Sequence, residues 1–235
     1  MSRLSVLGTW AGAALFALSG GIFLYSYAFT FVEQPTAPLG RRLLINVALF
    51  TAFALHHSLF ARTRIRAWVA RTVPAHLERS AYVAVASLLL IVLCRWWQAL
   101  PGTLWALSGV PAWPLFGMQL AGVALLIRAV RLIDGRELAG LPPPTRERPA
   151  DGAVDRPFTT DGPYGWVRHP IYAGWCLVVL AMPDMTLTRF AFASISVLYI
   201  LIAIPLEERT LARVSAGRYA AYAAQVTWRL VPGLY

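Results

Sequence analysis

The sequence predicts an all-α polytopic membrane protein with about six spans and a C-terminal helical hairpin. Hydrophobic residues make up 58% of the chain, charged residues only 14%, and the mean hydropathy is +0.58. This composition is too apolar for an ordinary water-soluble domain. Six apolar segments follow one another, and about 20 residues suffice for a membrane-spanning helix. The segments are residues 4–32, 43–61, 80–98, 115–133, 171–182 and 190–206.

The first four segments predict four N-terminal transmembrane helices within residues 1–133. The first of them is longer than the apolar core of a signal peptide, so we expect an uncleaved span. Residues 134–235 then provide a cytoplasmic loop, the hairpin and a tail, all within a single domain. The fifth segment is short, because residues 171–182 cover only about 18 Å as a helix. Pro183 and Asp184 follow it and predict the turn of the hairpin.

The arginines predict the orientation. All 21 basic residues are arginine, and the formal net charge is +10. Basic residues are retained preferentially on the cytoplasmic side. If the loop of residues 62–79 is cytoplasmic, alternation of the spans places 17 of the 21 arginines on that side. We therefore expect an integral membrane protein with both termini cytoplasmic. The arginines lie in clusters between apolar segments, which favours a lipid bilayer over nucleic acid as the partner.

Several site types are not supported by the sequence. Cys94 and Cys176 lie inside apolar segments and are expected to be core residues. The spacing of Cys, His and carboxylate residues predicts no metal site. Since two glycines are nowhere separated by a single residue, the glycine-rich fingerprint of a soluble dinucleotide-binding fold is absent.

A dense run of turn, aromatic and charged residues precedes the fifth segment, from Asp161 to Gly174. Arg168 and His169 present polar groups at the membrane edge, and Pro170 suits a first helical position. Tyr172 follows at the start of the helix, whose free N–H groups suit an anionic ligand group. An interfacial anchor of arginine, histidine and aromatic residues is the alternative interpretation.

A pair of carboxylates, Glu207 and Glu208, follows directly after the last segment. The hairpin brings this pair and the Arg168–His169 pair to one side of the bilayer. Opposite charges would meet there and could hold a zwitterionic or cationic small molecule. A solvated helix end is the alternative interpretation of the two carboxylates.

The order of these elements resembles the isoprenylcysteine carboxyl methyltransferase superfamily of membrane methyltransferases. The resemblance covers roughly residues 158–235. It implies that S-adenosylmethionine binds among the last helices at the cytoplasmic face. The cofactor-binding candidates that it implies are Tyr164, His169, Tyr172, Gly174, Glu207 and Glu208. The matching residues are Gly162, Pro163, Tyr164, Val167, Arg168, His169, Pro170, Tyr172, Gly174, Glu207, Glu208, Tyr219, Tyr222, Leu230 and Pro232.

One departure bears on the substrate. Members that methylate a prenylated cysteine carry an arginine four residues before the first glutamate, where this chain has Ala203. Four short motifs are similar to the bacterial branch that includes methanethiol S-methyltransferases and membrane proteins associated with nitrite-reductase gene clusters: His56-His57-Ser58, Ala61-Arg62, Glu78-Arg79-Ser80 and Trp96-Trp97. This similarity implies a location in a bacterial inner membrane.

We therefore expect a small or lipophilic thiol, such as methanethiol, as the methyl acceptor. Thiols are mostly protonated near neutral pH. The catalytic candidates are His57, as the base for the thiol proton, and Arg168, as a cation that stabilises the thiolate. The alternatives are carboxyl methylation of a prenylcysteine, N-methylation of a phospholipid, and a non-catalytic membrane partner of a denitrification system.

Overall fold

The computed structural model describes residues 3–31, 38–60, 71, 73–74, 77–133, 139–141 and 158–235. Their architecture is helical, which confirms the predicted all-α class. Five helical segments are long and apolar enough to cross a membrane: Val6–Thr30, Leu39–His56, Glu78–Trp96, Val110–Leu132 and Leu187–Val214. The helices are α1 (Arg3–Tyr25, continued by a π-helical turn Ser26–Thr30), α2 (Leu39–Phe60), α3 (Glu78–Trp96), α4 (Trp113–Leu132), α5 (Pro170–Leu180), α6 (Leu187–Val214) and α7 (Arg218–Gln225).

Large apolar side chains cover the outer faces of these helices. Leu44 is 70% exposed, Leu120 71% and Trp113 70%. A soluble protein rarely exposes a contiguous apolar surface of this kind, whereas lipid is a suitable solvent for it. The chain is therefore an integral membrane protein. The short fifth span of the sequence prediction corresponds to α5, an apolar helix of 11 residues.

The described residues form two compact units, of which the first contains α1, α2 and α3. Within it, α3 packs against both α1 and α2. Asn46 of α2 is fully buried, and its side chain exchanges two hydrogen bonds with the main chain of Gln98, at 2.7 and 2.8 Å. Arg189 is also buried and donates from Nε to the carbonyl of Tyr27 at 2.9 Å, in the π-helical turn. Both contacts satisfy main-chain groups at or just beyond the end of a helix.

The second unit contains α4, α5, α7 and all but the first turn of α6. Its tightest packing is between α4 and α5, which cross at Gly122 and Gly174. A Cβ atom on either glycine would lie 2.8 Å from the carbonyl oxygen of the other. Gly174 is thus required by the close approach of two helix backbones. This contact shelters the short helix α5 against a full-length span.

Two features differ from the sequence prediction. The segment between α3 and α4 and the segment after α5 form a two-stranded sheet, β1 (Thr103–Ala106) with β2 (Asp184–Thr186), where only loops were expected. The last membrane-spanning helix, α6, also continues two turns beyond the apolar segment, so Glu207 and Glu208 lie inside α6 and not after it. The reason is that the polar residues after Leu206 remain good helix formers. Helix α6 ends where Ala216 and Gly217 adopt positive φ angles of 48° and 84°.

Candidate active site

The first polar cluster is built at the start of α5. A 3-10 turn, Gly162–Gly165, leads into a short irregular segment, and Pro170 occupies the first position of α5 as predicted. The irregular segment bonds to the C-terminal tail, because the Arg168 N–H donates to the carbonyl of Trp228 and the His169 N–H to that of Arg229, each at 2.9 Å. The tail thereby lies directly beside the predicted site residues.

Glu208 is the centre of this cluster. Its side chain is only 11% exposed, and both of its oxygens accept bonds from cationic groups. Arg168 Nε donates to Oε1 at 2.7 Å, and Arg229 Nε donates to Oε2 at 2.9 Å. His169 Nε2 lies 3.3 Å from Oε1. A buried carboxylate needs such partners to remain charged.

Arg168 also binds the tail directly. Its Nη1 donates to the carbonyls of Val226 and Thr227, each at 2.9 Å. Its Nε is occupied by Glu208. The side chain that was predicted to stabilise a substrate thiolate therefore bonds to protein groups on at least two of its nitrogens.

Glu207 has a different environment from its neighbour. Its side chain is 44% exposed, and its Oε2 accepts a hydrogen bond of 2.9 Å from the Tyr172 hydroxyl. The same oxygen lies 3.9 Å from His169 Nδ1, which is beyond hydrogen-bonding distance. Of the two adjacent carboxylates, Glu207 is the one accessible to a ligand.

His169 connects the two carboxylates. Its ring stacks on the Tyr172 ring, with centroids 5.4 Å apart and planes within 8°. Burial lowers the pKa of His169, and the nearby Glu207 and Glu208 oppose that shift only in part. His169 Nε2 is the ring nitrogen within hydrogen-bonding distance of a carboxylate, so we expect a neutral ring to carry its proton there and its lone pair on Nδ1, on the side of Glu207.

A further group of aromatic residues includes Tyr164, one of the predicted site residues. Tyr222 of α7 donates to the carbonyl of Tyr164 at 2.9 Å and stacks on Phe158, with centroids 5.6 Å apart. Burial and the neighbouring Glu207 raise the pKa of Tyr164 to about 12. Burial, followed by the nearby Glu208, raises the pKa of Tyr219 well above its ordinary value. These phenols are therefore neutral hydrogen-bonding groups at physiological pH.

The structure thus brings together most of the predicted residues, namely Tyr164, Arg168, His169, Tyr172, Glu207 and Glu208. Gly174 is the exception within this unit, because its contacts are with α4 and reflect helix packing. His56 stacks on Tyr82 of α3, with ring centroids 5.2 Å apart. The predicted base His57 is in α2, and its side chain lies outside the described residues.

Sequence reasoning missed Arg229. Its Nε donates to Glu208, and its guanidinium carbon lies 5.3 Å from the centroid of the Tyr235 ring. The sequence signal that could have indicated Arg229 is its position directly before Leu230 and Pro232, two residues that match the family pattern. A cation next to such residues is a candidate for an ion pair within the site.

The cluster is suited to an organic cation more than to a metal ion. Among the described residues, no group of three His, Cys, Asp or Glu side chains could hold a metal. The exposed carboxylate of Glu207 and the lone pair of His169 Nδ1 are both acceptors. Acceptors at this spacing fit an ammonium or sulfonium compound, and aromatic rings beside them favour a flat heterocycle.

Comparison with known proteins gives consistent relatives. The model of the isoprenylcysteine carboxyl methyltransferase (ICMT) family matches residues 153–213. Methanethiol S-methyltransferase 2 of Bradyrhizobium diazoefficiens is 34% identical, over 87% of this chain and 78% of the relative. Methanethiol S-methyltransferase of Mycobacterium tuberculosis is 33% identical, over 83% of this chain and 80% of the relative.

A relative whose name states no reaction also matches. Nurim of Rattus norvegicus is 30% identical, over 71% of this chain and 66% of the relative. No solved structure matches the chain.

Proposed function

Since the chain belongs to the isoprenylcysteine carboxyl methyltransferase family of membrane methyltransferases, we propose that it transfers a methyl group from S-adenosylmethionine to a small thiol such as methanethiol. The observation that carries this proposal is the pairing of an accessible carboxylate, Glu207, with a neutral imidazole and a phenol at the start of α5.

The residues present fit the methyl donor. S-adenosylmethionine supplies a methyl group already activated by a positively charged sulfur. Glu207 would attract the cationic part of this donor, and Tyr172 and His169 would orient it through their hydroxyl and ring nitrogen. Tyr164 and the aromatic residues around Tyr222 would lie beside the donor and help to exclude water from the reacting groups.

The charge pattern favours a neutral acceptor. The two guanidinium groups of the cluster, Arg168 and Arg229, both bind Glu208. Ala203 is half-buried on α6 one turn before Glu207, where it adds no charge to that helix face. An acceptor with a free carboxylate would need a cation at the site, whereas a thiol needs only apolar surroundings and a base. We propose His57 as that base.

The donor is tested by calorimetric titration of purified protein with S-adenosylmethionine. We expect saturable binding by the natural protein and at least about tenfold weaker binding by Glu207→Gln. Glu78→Gln removes a carboxylate from the start of α3 and serves as the matched control, with unchanged affinity. Lack of binding by the natural protein would refute every methyltransferase interpretation, including ours, and would favour a non-catalytic membrane partner.

The acceptor is tested by methyl transfer from labelled S-adenosylmethionine to three compounds in separate reactions: methanethiol, a prenylated cysteine and phosphatidylethanolamine. We expect transfer to methanethiol. Transfer to either of the others without transfer to the thiol would overturn the proposed substrate. His57→Gln is expected to lower the turnover number most at low pH, because the thiol proton then lacks an acceptor.

We also propose that both termini are cytoplasmic, as the distribution of arginines predicts. If both termini are cytoplasmic, the cluster at the end of α6 faces the compartment that contains S-adenosylmethionine. Reporter enzymes that are active only outside the cytoplasm, fused after residue 235, should be inactive. An active fusion would contradict the proposed topology.

A further inference from the structure

Arg229 contacts His169 directly through its main chain and indirectly, through Glu208, with its side chain. Its carbonyl oxygen accepts the main-chain N–H of His169 at 2.9 Å. Its side chain binds Glu208 Oε2 at 2.9 Å, and Glu208 Oε1 in turn lies 3.3 Å from the His169 ring. The contacts form a closed cycle from the backbone of His169, through Arg229 and Glu208, to the imidazole of His169.

We propose that Arg229 is a positioning residue which, through Glu208, fixes the His169 ring as the Nε2–H tautomer and leaves its Nδ1 lone pair facing Glu207. Glu208 is then an internal counterion and not a ligand of the methyl donor. The expected effect on affinity for S-adenosylmethionine rests on the proposed function. The expected tautomer of His169 can be measured without any ligand.

The burial of the groups supports this division. Both oxygens of Glu208 are occupied, and the side chain of its partner Arg168 is only 9% exposed. Glu207, one residue earlier on the same helix, is 44% exposed and accepts a hydrogen bond from the neutral hydroxyl of Tyr172. Two adjacent carboxylates on a helix point about 100° apart. One therefore faces the tail while the other faces the side of α5 that carries Tyr172.

The tautomer follows from which neighbours are acceptors. The charged and titratable groups around the ring are Arg168 on its own segment, Tyr172 on α5, and Glu207 and Glu208 on α6. Glu208 can only accept from Nε2, so a neutral ring must donate there. Nδ1 and Glu207 Oε2 are then two acceptors 3.9 Å apart, a gap that an N–H donor of a bound ligand can bridge.

The first test uses the ligand-free natural protein. The chain has four histidines, so ¹⁵N labelling of histidine gives few ring signals, and the His169→Gln spectrum identifies those of His169. We expect a protonated Nε2 and an unprotonated Nδ1 near neutral pH. A protonated Nδ1, or a doubly protonated ring, would overturn the proposal without any reference to methyl transfer.

The second test replaces Arg229 and a matched arginine. In Arg229→Met the fixed tautomer should be lost, so that the two ring nitrogens give signals between the protonated and unprotonated values. Arg229→Lys should restore the natural spectrum, because an ammonium group also binds Glu208. Arg213 lies exposed on α6, where its Nε donates to the carbonyl of Arg209, so Arg213→Met should change nothing. Identical spectra for the two methionine variants would refute the role of Arg229.

The third test measures affinity for S-adenosylmethionine in the same variants. We expect at least about tenfold weaker binding by Arg229→Met, recovery to within about threefold by Arg229→Lys, and natural affinity in Arg213→Met. If the natural protein binds the donor and Arg229→Met binds equally well, the positioning role is wrong while the proposed function stands. If the natural protein does not bind, the proposed function fails, and the tautomer measurement still decides the role of Arg229.

Discussion

Exchanging each of the two adjacent carboxylates for an amide should have opposite consequences for stability and for binding. Glu208→Gln removes the charge that two guanidinium groups share and replaces one acceptor oxygen by an NH₂ group. The Arg168 side chain is 9% exposed, so its bond to the carboxylate is only weakly screened by solvent. Converting a charge-assisted bond to a neutral one, with a buried cation left partly compensated, costs about 2 kcal/mol. The Arg229 side chain is 38% exposed, so its pair adds less than about 1 kcal/mol.

The expected loss for Glu208→Gln is therefore about 2 to 3 kcal/mol in the free energy of unfolding, or a midpoint about 4 to 12 °C lower for a chain of this size. Glu207→Gln should lower the midpoint by less than about 4 °C, because its side chain is 44% exposed and Tyr172 can still donate to the amide oxygen.

Unfolding in detergent can be followed with a thiol-reactive fluorophore. Cys94 is buried and Cys176 partly buried, and both are free thiols that unfolding exposes. Calorimetry on the same samples should show the larger loss of S-adenosylmethionine affinity in Glu207→Gln. If Glu208→Gln is no less stable than Glu207→Gln, the assignment of Glu208 as the buried counterion is wrong.

Three further predictions concern the second unit. Gly174→Ala should lower the free energy of unfolding by about 1 to 3 kcal/mol, because its Cβ would lie 2.8 Å from a carbonyl oxygen of α4. A Cβ at Gly117 would meet no described atom within 4 Å, so Gly117→Ala is the control and should not lower the midpoint in the same thermal assay. Trp175→Phe should cost about 1 kcal/mol by removing the indole donor to Ser196, at 2.6 Å; an unchanged midpoint would show that the bond contributes nothing. Burial lowers the pKa of His169, so below about pH 6.5 the unfolded chain binds a proton at this residue more readily than the folded protein does. The contribution of the neutral imidazole to stability is therefore complete above about pH 6.5 and is lost progressively as the pH falls below that value. The unfolding midpoint of the natural protein should therefore fall more steeply than that of His169→Gln between about pH 7.5 and about pH 5.5, and parallel curves would contradict this.

The electrostatics of the site show what the sequence could not predict about the two charged pairs. The sequence placed Arg168–His169 and Glu207–Glu208 on one side of a hairpin, because a short helix and a long one joined by a turn return to the same face. It treated the two glutamates alike, since adjacent letters carry no information about burial. Only the helical phase of α6 and the path of the tail separate a buried Glu208 from an exposed Glu207.

The position of Arg229 illustrates a second limit. It is 21 residues from Glu208 in the chain, and its contact depends on how the tail after α7 returns to the start of α5. Irregular segments of this kind have no periodicity from which a path could be predicted. The same holds for β1 and β2, which pair across a large sequence separation and are too short for a recognisable alternating pattern.

The sequence by itself determined the solvent, the number and order of the apolar helices, and the residue types that meet at one end of the hairpin. These follow from composition and from helix length, which depend on local properties of the chain. The tertiary structure alone decided that Gly174 serves helix packing, that Arg168 and Arg229 share Glu208, and that Glu207 remains accessible. Those distinctions depend on burial and on contacts between distant segments, so they exist only once the second unit has folded.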